Sequence, residues 1–291
     1  MTVFELQKKY LPLVAPEDFF VLLAHATHKE KAFLLAHPEY TLSATATAVA
    51  LDYFARRQKR EPVAYIIGEK EFYGLPFKVT RDTLIPRPET ELLIERALER
   101  IKNQELEIKD QGKTILVDVG TGSGNIIISI ATELIKFDSQ FSLHATDISS
   151  EALAVARINA KRHHVADIIS FHEGNLLEPL ASELSTANQL IIIANLPYLS
   201  TNIYRGSAPD VQCFEPRRAL ESGIDGLDHY RQLLQTLSLY SKSILSLTLF
   251  FEISPEQSEV LATLIRQQLP QVTLSLSQDL SGRNRLIQAT L

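Results

Sequence analysis

Cys213 is the single cysteine among the 291 residues. No intrachain disulfide can form, which fits a reducing cytoplasm. Cys213 has no flanking nucleophile motif and is read as passive. No apolar stretch approaches the roughly 20 residues needed to span a bilayer, so no membrane partner is expected. The opening MTVFELQKKY has no basic region followed by an apolar run, and no secretory signal is expected. Basic charge is in deficit, with a formal net charge of -6. That argues against a protein that coats nucleic acid, and no stable nucleic-acid binding is expected. Arg56, Arg57, Lys59 and Arg60 form one local basic run, which reads first as a solvated helix end and second as a basic patch. The eight histidines are scattered, so no metal site is expected.

Glycine is absent from the first 60 residues, where leucine and alanine are dense. Residues 19–37 repeat apolar positions at helical spacing and 41–60 do so again, so 1–61 is expected to be a small helical bundle of about four helices. The pattern changes at Glu61-Pro62. PVAYIIGEKEFYGLPFKVT (62–80) carries β-branched and aromatic residues with glycines, and reads as a hairpin or two short strands within a linker over 62–83. A third region, 84–291, opens with LIPRPETELLIERALERI (84–101). Pro88 falls at the start of its helical pattern, where a missing N–H costs nothing. Glu89, Glu91 and Glu95 lie in the early turns, which the helix dipole favours.

From residue 114 the patterns alternate. Strands are expected over 114–120, 141–147, 168–174, 189–195 and 243–253. Helices are expected over 125–137, 149–164, 226–240 and 255–269, and a long polar loop over 199–217. Such alternation means an α/β fold with a mostly parallel sheet and helices on both faces. The closing strands, 272–280 and 284–291, are joined too tightly for a parallel crossover, so they form an antiparallel hairpin.

DVGTGSG (118–124) follows the first of these strands and opens the next helix. Gly120, Gly122 and Gly124 let the backbone turn tightly and bring a ligand close to the main chain. The spacing is not the G-x-G-x-x-G of a dinucleotide fold, and the lysine of a phosphate-binding P-loop is missing. Asp147 ends the second strand, where an acidic side chain accepts hydrogen bonds from ribose hydroxyls. This combination resembles the S-adenosylmethionine fingerprint of the Rossmann-like class I methyltransferases. The other readings are a turn kept for packing and a nicotinamide-dinucleotide enzyme. The resemblance implies that Gly120, Thr121, Gly122, Ser123, Gly124 and Asp147 hold S-adenosylmethionine. It places Asn175 and Leu176, after the third strand, near the adenine, and Asn195 beside the methyl group.

IIIANLPYLS (191–200) ends a buried strand with an amide, a proline and an aromatic ring. At the carboxyl edge of such a sheet that set has a chemical use. A planar nitrogen bearing two N–H bonds has a conjugated lone pair and is a poor nucleophile. Asn195 Oδ1 and the backbone oxygen of Leu196 can accept both N–H bonds, since a residue before proline is held extended. Pro197 stiffens the turn and Tyr198 can stack on the planar group. Transfer then follows from positioning and charge stabilisation. The alternative is a plain strand end with a half-buried tyrosine.

EPVAYIIGEKEFYGLPFKVT followed by TLIPRPETE (83–91), CFEPRRALESGIDGLDHYR (213–231), LFFEISPEQ and QDLSGRNRLI (278–287) resemble the peptide chain release factor glutamine methyltransferases of the HemK/PrmC type over nearly the whole chain. That family's tetrad is Asn-Pro-Pro-Tyr; the Asn-Leu-Pro-Tyr found here is more typical of rRNA adenine dimethylases. Ser254 also replaces a usual glycine. The resemblance implies a cytoplasmic enzyme that methylates the glutamine of the release factor Gly-Gly-Gln loop, with an N-terminal bundle that contacts the factor. It implies that Asn195, Leu196, Pro197 and Tyr198 hold the glutamine. Leu196 has one more free dihedral than proline, so a less rigid site is expected. Arg87, Glu89, Glu215 and Pro216 fall either around the pocket or in salt bridges and turns at a domain seam. Two other classes stay in play: an RNA or DNA adenine amino-methyltransferase, and a non-catalytic module that keeps the fold as a scaffold.

Overall fold

The computed structural model describes residues 1–107, 114–136, 141–241 and 244–291. The last residue of the helix expected over 125–137 and the first of the strand expected over 243–253 lie outside these. Met1–Glu69 with Ala208–Phe214 make one compact unit, and Lys70–Ser207 with Glu215–Leu291 make another. No helix among the described residues is long and apolar enough to cross a membrane.

The first 69 residues hold five helices: α1 (Val3–Tyr10), α2 (Pro16–Thr27), α3 (Lys31–Ala36), α4 (Ala44–Gln58) and α5 (Val63–Ile67). Their starts are set by local chemistry. Thr2 and Glu5 form a capping box on α1, Pro16 opens α2, and Ser43 Oγ caps α4. The run 19–37 is two helices, not one. His28 adopts a left-handed conformation at φ 53 and closes α2 before Glu30 starts α3. Apolar spacing continues across that break, so periodicity could not reveal it. Residues 63–67, expected to be extended, form a single helical turn between Pro62 and a left-handed Gly68. Phe54 stacks on Phe19 with ring centres 4.9 Å apart and meets Tyr10 at 4.7 Å. In the basic run, Arg57 pairs with Asp18 at 2.7 Å and Arg56 with Glu61 at 2.9 Å. Two of its four charges are therefore engaged within this unit.

The second unit begins with a two-stranded sheet, β1 (Glu69–Phe72) and β2 (Leu75–Lys78). A 3-10 turn over Pro88–Thr90 leads into α6 (Glu91–Glu107). Then β3 (Thr114–Val119), α7 (Asn125–Leu134), β4 (Phe141–Asp147), α8 (Ser150–Arg162), β5 (Ile169–Glu173), α9 (Ala181–Ser185) and β6 (Gln189–Ala194) follow. The stretch 199–217, expected to be a loop, contains α10 (Thr201–Arg205) and α11 (Pro209–Phe214), the latter counted with the first unit. Each is shorter than two turns, too short to leave a period. The chain closes with α12 (Asp228–Tyr240), β7 (Ser246–Glu252), α13 (Ser258–Gln268), β8 (Thr273–Gln278) and β9 (Asn284–Thr290).

The seven-stranded sheet has the order β5-β4-β3-β6-β7-β9-β8. β3 to β7 run parallel, and β9 is antiparallel to both β7 and β8. Strands covered on both faces need continuous apolar runs, and every residue of β6 is buried. Alternate residues feed two cores. Val117, Ile192 and Leu249 face one with Leu233 and Leu261, while Leu116, Ile191 and Phe250 face the other with Leu98 and Ile127.

Asn159 of α8 is buried and ties β2 to the glycine loop. Its Oδ1 accepts from Lys78 N at 2.8 Å, and its Nδ2 donates to Lys78 O and Ser123 O at 3.0 and 2.8 Å. Asn159→Ala leaves three main-chain groups without this partner, one of them, Ser123 O, in a buried bond. It should cost about 2–4 kcal/mol in urea unfolding, with an unchanged m-value.

Candidate active site

Parallel register brings the site together. Val119 of β3 is paired with Thr146 of β4 and with Ala194 of β6, and Ala194 is paired with Phe251 of β7. The next residue on each strand is Gly120, Asp147, Asn195 and Glu252. These four form one row across the carboxyl edge. The chain leaves β3 for β4 on one side, while β6 lies on the other, so the row straddles the crevice where open α/β sheets bind ligands.

A cleft of about 740 Å³, part of it open solvent, lies at this edge. Of the residues expected to form the site, Gly120, Gly122, Asp147, Asn175, Leu176, Asn195, Leu196 and Pro197 line it. Thr121, Ser123, Gly124 and Tyr198 do not. The Thr121 hydroxyl donates to Asp118 Oδ2 at 2.6 Å, and Ser123 Oγ is bonded to Asn125 Oδ1. Gly124 caps α7, and a Cβ there would fall 2.7 Å from Ile128 and 3.2 Å from Ala156. These three build the loop from behind.

The glycine loop is fixed by main-chain bonds. Gly120 N and Thr121 N both donate to Thr146 O at 2.9 Å, and Gly122 N donates to Asp147 Oδ2 at 2.8 Å. Asp147 Oδ1 accepts from Ser149 N. The carboxylate is thus clamped by two amides, with lone pairs left for a diol. Burial pushes its pKa up, while these bonds and the Arg218 charge oppose the shift. A Cβ on Gly122 would meet no atom within 4 Å. Any side chain there would occupy the cleft instead, as expected of a cradle for a close-lying ligand. The donor set and the open face at Gly122 fit S-adenosylmethionine. The Asn175 side chain donates to Glu178 Oε1.

Asn195 turns its Nδ2 to Thr90 Oγ1 at 3.1 Å, and its Oδ1 accepts no bond among the described residues. The Leu196 side chain is buried, and its Cδ2 lies 3.0 Å from where a Cβ on Gly120 would sit. The N–H that proline would lack lies near the Tyr230 phenol and opposes the upward push of burial on its pKa. Tyr230 is fully buried and donates to Glu252 O at 2.5 Å, bridging the ends of β6 and β7. Tyr198 directs its hydroxyl to Glu252 Oε1 at 3.4 Å. Burial, with the Glu252 carboxyl next, raises the phenol pKa. Tyr198 O accepts from Gln257 Nε2 at 2.8 Å. Gly226 passes so close that a Cβ would fall 2.2 Å from that carbonyl. Only glycine fits there.

Pro216 lines the cleft, whereas half-buried Arg87 pairs with the buried Glu215 and Glu89 does not line it. Thr90, Tyr230 and Gln257 carry no sequence signal that marks them as part of the site. Glu252 carried the same signal as Asn195, a polar residue ending an apolar strand. Arg218, which lines the cleft and donates to Ser149 Oγ at 2.8 Å, carried none.

Two family profiles match the chain: a PrmC N-terminal domain over residues 5–68 and a methyltransferase domain over 109–220. A release factor glutamine methyltransferase of Bacillus anthracis is 33% identical over 274 residues, spanning 93% of this chain and 91% of the relative. That of Coxiella burnetii is 34% identical, spanning 94% and 90%. Among solved structures, the N-terminal domain of human METTL16 aligns with TM-score 0.52 at 17% identity, over 95% of this chain and 93% of that one. The same human domain in complex with SAH gives a TM-score of 0.51 at 16% identity, over 95% and 94%. These structures share the Rossmann-like methyltransferase fold.

Asp118 is fully buried behind the glycine loop, and burial pushes its pKa up to about 7 despite the bonds from Thr121 and Ile127 N. A raised carboxyl pKa means that the folded state holds a proton the unfolded state has released. The resulting cost is full above the folded value and fades as pH falls toward the unfolded one. The Tm gap between wild type and Asp118→Asn should therefore shift in favour of wild type as pH is lowered from about 8 to about 5. A pH-independent gap would contradict the shift.

Proposed function

The chain belongs to the release factor glutamine methyltransferases, and with that as premise we propose that its target is the glutamine of the Gly-Gly-Gln motif in peptide chain release factors. It is an S-adenosylmethionine-dependent protein glutamine methyltransferase. The observation that carries the finer reading is the row Gly120, Asp147 and Asn195 at one strand edge, all three lining one cleft. S-adenosylmethionine supplies, when bound, a methyl group made electrophilic by its sulfonium.

The residues of this chain do the rest. In this reading Asp147 accepts the ribose hydroxyls, and Gly120 to Gly124 form the cradle. Asn175 and Leu176 border the adenine side. Asn195 Oδ1 accepts one N–H of the glutamine amide and the backbone oxygen of Leu196 accepts the other. Held so, the amide turns its face toward the methyl group, and both oxygens stabilise the positive charge that develops on nitrogen as the N–C bond forms and the methyl–sulfur bond breaks, its electron pair staying on sulfur; the methylated nitrogen then gives up one of its two protons to solvent. Pro197 fixes the turn. The Tyr198 ring packs on the planar amide and keeps water out. The orientation of Asn195, with Nδ2 already on Thr90, leaves Oδ1 for this task.

The N-terminal bundle is the proposed contact for the release factor, and the cytoplasm the proposed compartment. The engagement of Arg56 and Arg57 with Glu61 and Asp18 weighs against the nucleic-acid reading, which the Asn-Leu-Pro-Tyr tetrad favours.

The deciding experiment is methyl transfer from labelled S-adenosylmethionine to a purified release factor. The same factor with its motif glutamine changed to alanine, and bare ribosomal RNA, run beside it. Label on the wild-type factor alone is expected; label on RNA would overturn the assignment. Asn195→Ala should lower kcat about a hundredfold or more while cofactor affinity survives. Asp147→Ala should raise the cofactor Kd about tenfold or more, read by calorimetry.

A further inference from the structure

We propose that Glu252 is a positioning residue that acts through Thr90 to fix which end of the Asn195 amide faces the cleft. The inference rests on Asn195 being the acceptor for the substrate amide, as read above.

An asparagine amide has a donor end and an acceptor end of nearly the same shape. A threonine hydroxyl can face either, because it both donates and accepts. The contact of Asn195 with Thr90 therefore does not select an orientation by itself. The choice falls to whatever takes the single hydroxyl proton of Thr90. Thr90 is 1% exposed, within the turn Pro88–Thr90, and its hydroxyl lies beside the Glu252 carboxyl and favours the charged form. Glu252 is 3% exposed, and Tyr198 donates to its Oε1, while its Oε2 has no hydrogen-bond partner among the described residues.

A carboxylate only accepts. When Thr90 gives its proton to Glu252, Thr90 can only receive from Asn195. The NH2 end then points at Thr90, and Oδ1 is turned to the cleft. A neutral partner at 252 with a proton of its own can donate to Thr90. The Thr90 proton is then free for Asn195 Oδ1, and the flipped amide becomes equally satisfied. That flipped form sets an NH2 group against the NH2 of the substrate. Glu252 thus holds both ends of the tetrad, Tyr198 directly and Asn195 through Thr90.

Arg285 on β9 favours the ionised carboxyl, and Glu89 opposes it. The Tyr198 and Tyr230 phenols complete its surroundings, with Tyr230 donating to the main-chain oxygen of Glu252. Burial pushes the Glu252 pKa up to about 7, which puts the switch in reach of an ordinary titration.

Two readouts test this on the full chain. The first needs no substrate. With asparagine side chains labelled with 15N, the Asn195 NH2 signal, identified by its loss in Asn195→Ala, should shift with pH. The midpoint should lie near about 7, and Glu252→Gln should abolish the shift. The second is kinetic. Glu252→Gln should lower kcat about tenfold or more, with cofactor Kd and KM for the release factor nearly unchanged. Wild-type kcat should fall as pH drops from about 8 to about 6, and the variant should lack that fall. Thr90→Val should reproduce the loss, and Thr90→Ser, which keeps the hydroxyl, should retain most of the rate. An Asn195 signal that does not titrate, or a Glu252→Gln enzyme with the wild-type kcat and pH profile, would overturn the proposal. A release factor left unlabelled by wild type would count against the assigned substrate, while the NMR titration still decides the role of Glu252.

Discussion

The site depends on the hydrogen-bonded register of four parallel strands. Because Val119 faces both Thr146 and Ala194, and Ala194 faces Phe251, a glycine and three chemically different side chains leave the sheet at one level. No side-chain contact sets that level. It follows from the ladder, and a slip of one residue would turn every core side chain to the wrong face. The two cores on either side of the sheet therefore guard the position of Asn195 as strictly as any neighbour of Asn195 does.

Polar groups around that row are few and shared. Thr90 serves Asn195 and lies beside the Glu252 carboxyl, Tyr230 serves the main chains of Ala194 and Glu252, and Gln257 serves Tyr198 and Asp225. In a setting this dry, each donor with two clients couples them. The Asn-Leu-Pro-Tyr loop is held from three sides, by the 3-10 turn before α6, by α12 and by the turn before α13. Leucine at 196 adds an N–H that proline would not have, and it lies near the Tyr230 phenol.

Much of this was legible in the chain before any coordinates. Buried runs such as IIIA and ILVDV, interrupted by glycine or by a polar residue, marked the strands and where they end. Asp147 and Asn195 stood out because an acid or an amide ending such a run needs a reason. What stayed hidden was of two kinds. Thr90 and Glu252 come from segments far along the chain from Asn195, and only strand register and the turn over 88–90 bring them near. Thr121, Ser123 and Gly124 look like ligand contacts in a motif, yet their side chains or packing face inward. Short helices such as Thr201–Arg205, and the break at His28, leave no period to detect. Sequence pattern reports burial along a line, and these features depend on closure in space.

The bonds that stitch the glycine loop to β4 have a thermodynamic consequence. Gly120 N, Thr121 N and Gly122 N are already satisfied by Thr146 and Asp147. The entropy of ordering that loop is therefore spent when the chain folds, not when a ligand arrives. Association at this cleft is closer to docking on a finished mould than to a disorder-to-order transition. Most of the contact energy made there is free to appear as affinity.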